Sequence, residues 1–140
     1  MTVTMKANRI HVFGGPEVIL FEDVPRPTPG TGEVLVRVHA AGVGPWDAWV
    51  RAGRSALPQP LPLTLGADLA GTVEATGSRD SPFSVGDEVF GVTNPRFTGA
   101  YAQYALALHS RAGAQAPPPR LPRVCRGAGG GGDRPTDALS

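Results

Sequence analysis

The sequence predicts a mainly β chain, a small barrel with one or two short helices followed by a structureless C-terminal tail. Three observations carry this. Short apolar runs separated by Gly- and Pro-bearing turns recur from Lys6 to Leu106, the spacing of a small all-β domain. The chain holds 19 Gly and 15 Pro in 140 residues, an excess that implies many turns, a disordered segment, or both. Beyond Leu106 the apolar alternation stops and proline and glycine runs take over.

The elements follow in order. Residues 10–13 are apolar and stop at Gly14-Gly15-Pro16, a strand and its turn. Residues 18–21 make a second strand before the proline-rich stretch 25–30. Residues 33–40 alternate, with Val34, Val36 and Val38 on one face and Glu33, Leu35, Arg37 and His39 on the other, as in a half-buried strand. Residues 45–51 suit one or two helical turns, with Pro45 at the start, where its missing N–H costs nothing. Residues 65–75 read as a strand interrupted by Gly66 and Gly71, points of bending or close backbone approach. A Gly86-Asp87 turn precedes a strand at 88–90, and 100–106 is the last strand.

Composition narrows the function classes. Hydrophobic residues make up 41% of the chain, enough for a modest core. The net charge is +1, so no electrostatic footprint for nucleic acid or an anionic membrane exists. Residues 1–106 carry 8 basic against 10 acidic side chains, and 107–140 carry 5 against 2. No apolar run reaches the roughly 20 residues of a membrane span, and the first residues lack the apolar segment of a signal peptide. One cysteine, Cys125, permits no internal disulfide. A cytoplasmic protein is expected.

Several segments, taken together, resemble the amino-terminal domain of the medium-chain dehydrogenase/reductase superfamily. They are Met5-Lys-Ala7, Phe13-Gly-Gly-Pro-Glu-Val18, Gly32-Glu-Val-Leu-Val36, Ala40-Ala-Gly-Val-Gly-Pro-Trp-Asp47, Leu65-Gly-Ala-Asp-Leu-Ala-Gly-Thr-Val73, Val85-Gly-Asp-Glu-Val-Phe-Gly91 and Gly99-Ala-Tyr-Ala-Gln-Tyr104. The resemblance implies a GroES-like β-barrel over residues 5–106, a short extension at 1–4, and a tail at 107–140. In this superfamily such a barrel covers a nicotinamide held by a following Rossmann domain, which is absent from this sequence.

Departures from the superfamily pattern select a branch. The zinc alcohol dehydrogenases carry cysteine where this chain has Gly44 and His-Glu where it has Ala67-Asp68. Two ligand positions are thereby lost, and a catalytic zinc takes about three. The chain is therefore similar to the zinc-independent quinone oxidoreductase-like branch. That branch usually has asparagine at the Gly44 position and often tyrosine near Trp49; both are replaced here, which leaves the polar contacts of the pocket open. The resemblance implies NADPH as the intact enzyme's cofactor and a quinone or α,β-unsaturated carbonyl as its acceptor.

The substrate-pocket candidates are Gly44, Trp46, Asp47 and Trp49, with no catalytic side chain and no metal ligand expected. Asp47 is read as a helix-turn cap or ion pair ahead of an acid, since hydride transfer asks little of side chains. Asp68 is read as a carboxylate tied to a nearby arginine or backbone amide. Trp46 and Trp49 either line the pocket or pack in the core. Tyr101 and Tyr104 are read as barrel residues, and His11, His39 and His109 as scattered and without function.

Gly127, Gly129 and Gly132 match G-x-G-x-x-G. No strand, helix or βαβ unit surrounds them, so the match is read as accidental. Shifting the reading frame of the tail by one base permits Ala-Pro-Lys-Pro over 113–116 and Ala-Ala-Val-Pro-Val-Val-Ala-Val-Thr-Ala over 125–134. Both strings suit the stretch after such a barrel, so the tail is read as a frameshift product and the chain as a reductase fragment inactive alone. The alternatives are a native low-complexity tail and a free barrel that serves as a binding or structural module.

Overall fold

A computed structural model describes residues 2–108. The expectations for the tail, His109, Cys125, the glycine motif at 127–132 and the shifted frame lie outside the described residues. Seven strands and one α-helix follow in the order β1 (Thr4–Ile10), β2 (Leu20–Pro25), β3 (Glu33–Ala41), α1 (Pro45–Arg51), β4 (Leu63–Thr64), β5 (Asp68–Thr76), β6 (Glu88–Val92) and β7 (Tyr104–Leu108). A 3₁₀ turn occupies Pro16–Val18. The predicted mainly β class holds. No helix among the described residues is long and apolar enough to cross a membrane.

The strands form a three-stranded sheet, β2-β1-β4, and a four-stranded sheet, β6-β5-β3-β7. Every pairing is antiparallel. The stretch just before β7 joins the two sheets: Ala7 bridges Ala102 and Leu65 bridges Thr98. The Asn8 N–H donates to the Tyr101 carbonyl at 2.8 Å, and the Tyr101 N–H donates to the Leu65 carbonyl at 2.8 Å.

Three apolar clusters fill the interior. Val34, Val36, Leu69, Val73, Phe83 and Val89 centre the first; Ile10, Val50, Leu63 and Leu65 the second; Met5, Ala7 and Val24 the third. Val36 is wholly buried, a burial of the kind that contributes about 1.5–3 kcal/mol per large aliphatic side chain. Val50 buries the inner face of α1 in the second cluster.

Several expected boundaries shift. The first strand is residues 4–10, not 10–13, because Met5, Ala7 and Ile10 face the core while Val12 and Phe13 are 59% and 41% exposed. The second strand starts at Leu20, since the 3₁₀ turn uses up Val18. The strand expected at 65–75 begins at Asp68, and the last strand is Tyr104–Leu108 with only isolated bridges before it. Leu35, assigned to a solvent face, is 4% exposed. Its strand lies between β5 and β7, and the first half of β3 is covered on both faces.

Gly71 faces Val38 where β3 bulges against β5. A Cβ there would overlap the Arg37 carbonyl oxygen, whereas one at Gly30 would meet nothing nearer than the flexible Glu33 carboxylate at 3.4 Å. Gly71→Ala is expected to lose at least about 1–3 kcal/mol of stability as an overpacking change. Gly30→Ala is expected to stay within about 0.5 kcal/mol. Denaturant unfolding of both variants checks the contrast.

Candidate functional site

The candidate site is built around the start of α1. Pro45 opens the helix with φ already set, and Gly44 stands at the cap with extended backbone, φ −131° and ψ 170°. Glycine has no side chain with which to cap, so the third helical residue does it. The Gly44 N–H donates to Asp47 Oδ2 at 2.9 Å, and the Asp47 N–H donates to the Gly44 carbonyl at 3.1 Å. A carboxylate in the first turn also suits the helix dipole. The expectation of Asp47 as a cap is met; no ion pair accompanies it among the described residues.

Asp47 is 5% exposed, and a buried carboxylate needs donors. Tyr101 supplies one from 54 residues away: its hydroxyl lies 3.0 Å from Asp47 Oδ2 and 3.2 Å from the Gly42 carbonyl. One proton faces two acceptors, so the bond is shared. Asp47 Oδ1 stays buried without a partner, as does the indole nitrogen of Trp46. The carboxylate is thus held on one oxygen and left unpaired on the other.

Asp68, at the start of β5, is the second acid. Its backbone carbonyl accepts the Gly42 N–H at 2.9 Å, which holds β5 against the loop leading into α1. Burial raises the Asp68 carboxyl above its ordinary value, and the negative charge of Asp47 adds to the rise. The Trp46 indole N–H is close enough to offset part of this, though it misses hydrogen-bonding geometry. Neither an arginine nor a backbone amide pairs with the Asp68 carboxylate among the described residues, contrary to the expectation of one or the other. Its neighbours are an acid and an indole. The Tyr101 phenol is raised too, by burial first, then by its bond to Asp47 and by both carboxylates.

The four predicted pocket residues sit together but differ in exposure. Gly44 and Trp46 are half-buried, Asp47 is buried, and Trp49 is 54% exposed. Trp46 lies directly over Gly44: a Cβ on Gly44 would overlap Cε2 and Cζ2 of the indole. Val43, 86% exposed, and Trp49 give this end of the barrel an apolar surface. An open groove of about 570 Å³ borders Val43 and is lined also by Phe21, Val38, Ala40 and Tyr101, among others; Gly44, Trp46, Asp47 and Trp49 are not part of its lining. His11 meets Glu22 and His39 meets Thr72 on the surface. Tyr104 stacks beneath the Arg26 guanidinium at 3.9 Å. The described residues contain no group of three side chains able to hold a metal ion.

Tyr101 is the side chain of the candidate site that the sequence did not point to. Its signal was a tyrosine on a barrel strand, whose hydroxyl must find a polar partner once buried; nothing in the sequence shows that the partner is Asp47.

Tyr101→Phe is expected to cost about 1–3 kcal/mol, the range for a buried charged group that loses a donor, measured by chemical unfolding at neutral pH. Asp68→Asn should raise the melting temperature at neutral pH. The native state prefers the protonated acid, so wild-type stability rises as pH falls through the raised native value. The advantage of the variant should therefore shrink to nothing below the ordinary value of 3.8. A melting series across the acid range reads it directly.

Known proteins locate this geometry. The family profile of the alcohol dehydrogenase GroES-like domain matches residues 30–118. Quinone oxidoreductase of Sus scrofa is 48% identical over 104 residues, covering 74% of this chain and 31% of that protein. The Homo sapiens quinone oxidoreductase is 45% identical over the same length and shares. The chain therefore spans about a third of the curated relatives it matches. Among solved structures, the quinone oxidoreductase from Coxiella burnetii superposes with a TM-score of 0.70 at 34% identity, covering 76% of this chain and 35% of that one. A mycobacterial protein solved in complex with NADPH superposes at 0.68 with 38% identity, covering 76% and 32%.

Proposed function

The chain belongs to the alcohol dehydrogenase GroES-like domain family, and from that premise we propose that it is the acceptor-side barrel of a zinc-independent, NADPH-dependent quinone or enone oxidoreductase, without turnover on its own. One observation carries the reading: the loop and helix Gly42–Trp49 combine apolar side chains turned outward, Val43 at the edge of an open groove and Trp49 exposed on the helix, with a polar interior that holds the helix in place. Such a face can exclude water and support a flat acceptor. The residues at the superfamily's zinc positions, Gly44 and Ala67, have no ligand atom, which supports zinc independence.

The described residues do not fit a dinucleotide. Every strand pair is antiparallel, and the one α-helix is 7 residues long with no glycine-rich turn from a parallel strand before it. Pyrophosphate binding of the Rossmann type requires that unit. NADPH would have to be held by a second domain, and what this chain offers is the opposing wall. The alternative function, a free barrel docking on another protein, draws on the same exposed Val43 and Trp49.

Calorimetry on the purified chain should detect no NADPH binding at micromolar concentration, and metal analysis should find no stoichiometric zinc. Joined to a cofactor domain read from the shifted frame, the barrel should consume NADPH when a quinone or enone is added. A micromolar dissociation constant for the isolated chain, or a joined protein that binds NADPH and reduces no acceptor of a broad panel, would refute the reading.

A further inference from the structure

Gly44 has an extended backbone at φ −131°, a conformation any residue adopts, so chain geometry does not call for glycine there. A helix cap is also a place where glycine is inferior to asparagine, serine or aspartate. What excludes a side chain is Trp46. Its six-membered ring covers the space into which a Cβ at position 44 would project, overlapping Cε2 and Cζ2 and coming within 2.9 Å of Cη2. The indole N–H is buried near Asp68 without a hydrogen-bond partner. The ring therefore fills the volume of the side chain that position 44 lacks.

We propose that Trp46 is the specificity-determining residue of the α1 face: by taking the volume of side chain 44 it puts an aromatic wall where a side chain at 44 would stand, a wall that selects flat, fused-ring acceptors over small enones. The proposal rests on the reading of this face as the acceptor wall. Its physical basis is the asymmetry between the two kinds of contact. A ring on a ring gains from area and offset stacking, so two fused rings gain more than one. A small enone depends on a donor for its carbonyl oxygen, and the Trp46 N–H is turned inward, away from that use. Trp49, exposed one helical turn further on, extends the same aromatic surface.

The test uses the full 140-residue chain and the variants Gly44→Asn, Trp46→Ala and the pair. Asparagine is the better cap, so without the indole in the way Gly44→Asn would stabilise α1. With Trp46 present, Gly44→Asn is expected to lower Tm by at least about 4 °C, the shift of a 1 kcal/mol loss in a domain of this size. In the Trp46→Ala background the same change should raise Tm. Binding is then read by NMR, from shifts of assigned backbone amides in and around α1, using 2,3-dimethyl-1,4-naphthoquinone and 2-cyclohexenone as probes. Wild type should bind the naphthoquinone at least tenfold more tightly than the enone, and the double variant should lose that preference. A Gly44→Asn protein as stable as wild type overturns the volume exchange. Binding of both probes with an unchanged ratio in the double variant overturns the specificity role alone. Shifts from neither probe in any variant overturn the acceptor-wall reading, and this proposal with it.

Discussion

The hydroxyl of Tyr101 is the contact on which the arrangement of the site depends. Its ring packs against both the first and the second apolar cluster, its backbone ties β1 to Leu65, and its proton is shared between Asp47 and Gly42. Sheet, core and helix cap thus meet in one side chain. The space for it is made by Gly66, whose φ of +104° and missing Cβ let the Tyr101 ring and backbone lie against it. A side chain there would be strained and would displace the tyrosine.

The constraint has a cost that shows in the same place. Asp47 and Asp68 repel each other, Asp47 Oδ1 has no donor, and the Trp46 nitrogen has no acceptor. Unpaired buried polar atoms are rare in folded proteins, and each calls for an explanation. Two of the three among the described residues belong to α1, the helix that also carries the exposed Trp49. A helix of 7 residues has little intrinsic stability. Its position is set by the Asp47 cap, the Tyr101 bond, the burial of Val50 and the donation from Arg51 Nε to the Gly14 carbonyl.

Most of the fold was legible because short strands and turn residues leave a strong local signal. The helix at 45–51 was readable from Pro45 at its start, and β3 from its valine alternation. Strand ends were not, since Met5 and Ala7 carry the core of β1 inside a polar-looking stretch while the more apolar Val12 and Phe13 face outward. In the site, Asp47 was legible as a helix-turn cap or an ion pair, and the fold shows the cap. The Tyr101–Asp47 bond was not legible, because 54 residues separate the partners and only the closure of the barrel brings them together. The same holds for Asp68, expected on an arginine or a backbone amide and found near an acid and an indole. Gly44 looked like the loss of a side chain; in three dimensions the volume is occupied by Trp46.

The two tryptophans of the chain both lie in α1, one half-buried and one exposed. All indole emission from this protein therefore originates in a single seven-residue helix, while most of the regular backbone among the described residues, which the far-ultraviolet signal reports, lies in the sheets. The two signals report on different parts of the molecule. Where they coincide on heating, cap and barrel melt as one unit; where emission changes first, the helix has left a barrel that is still folded. The chain thus carries its own spectroscopic label at the place where its function is proposed to lie.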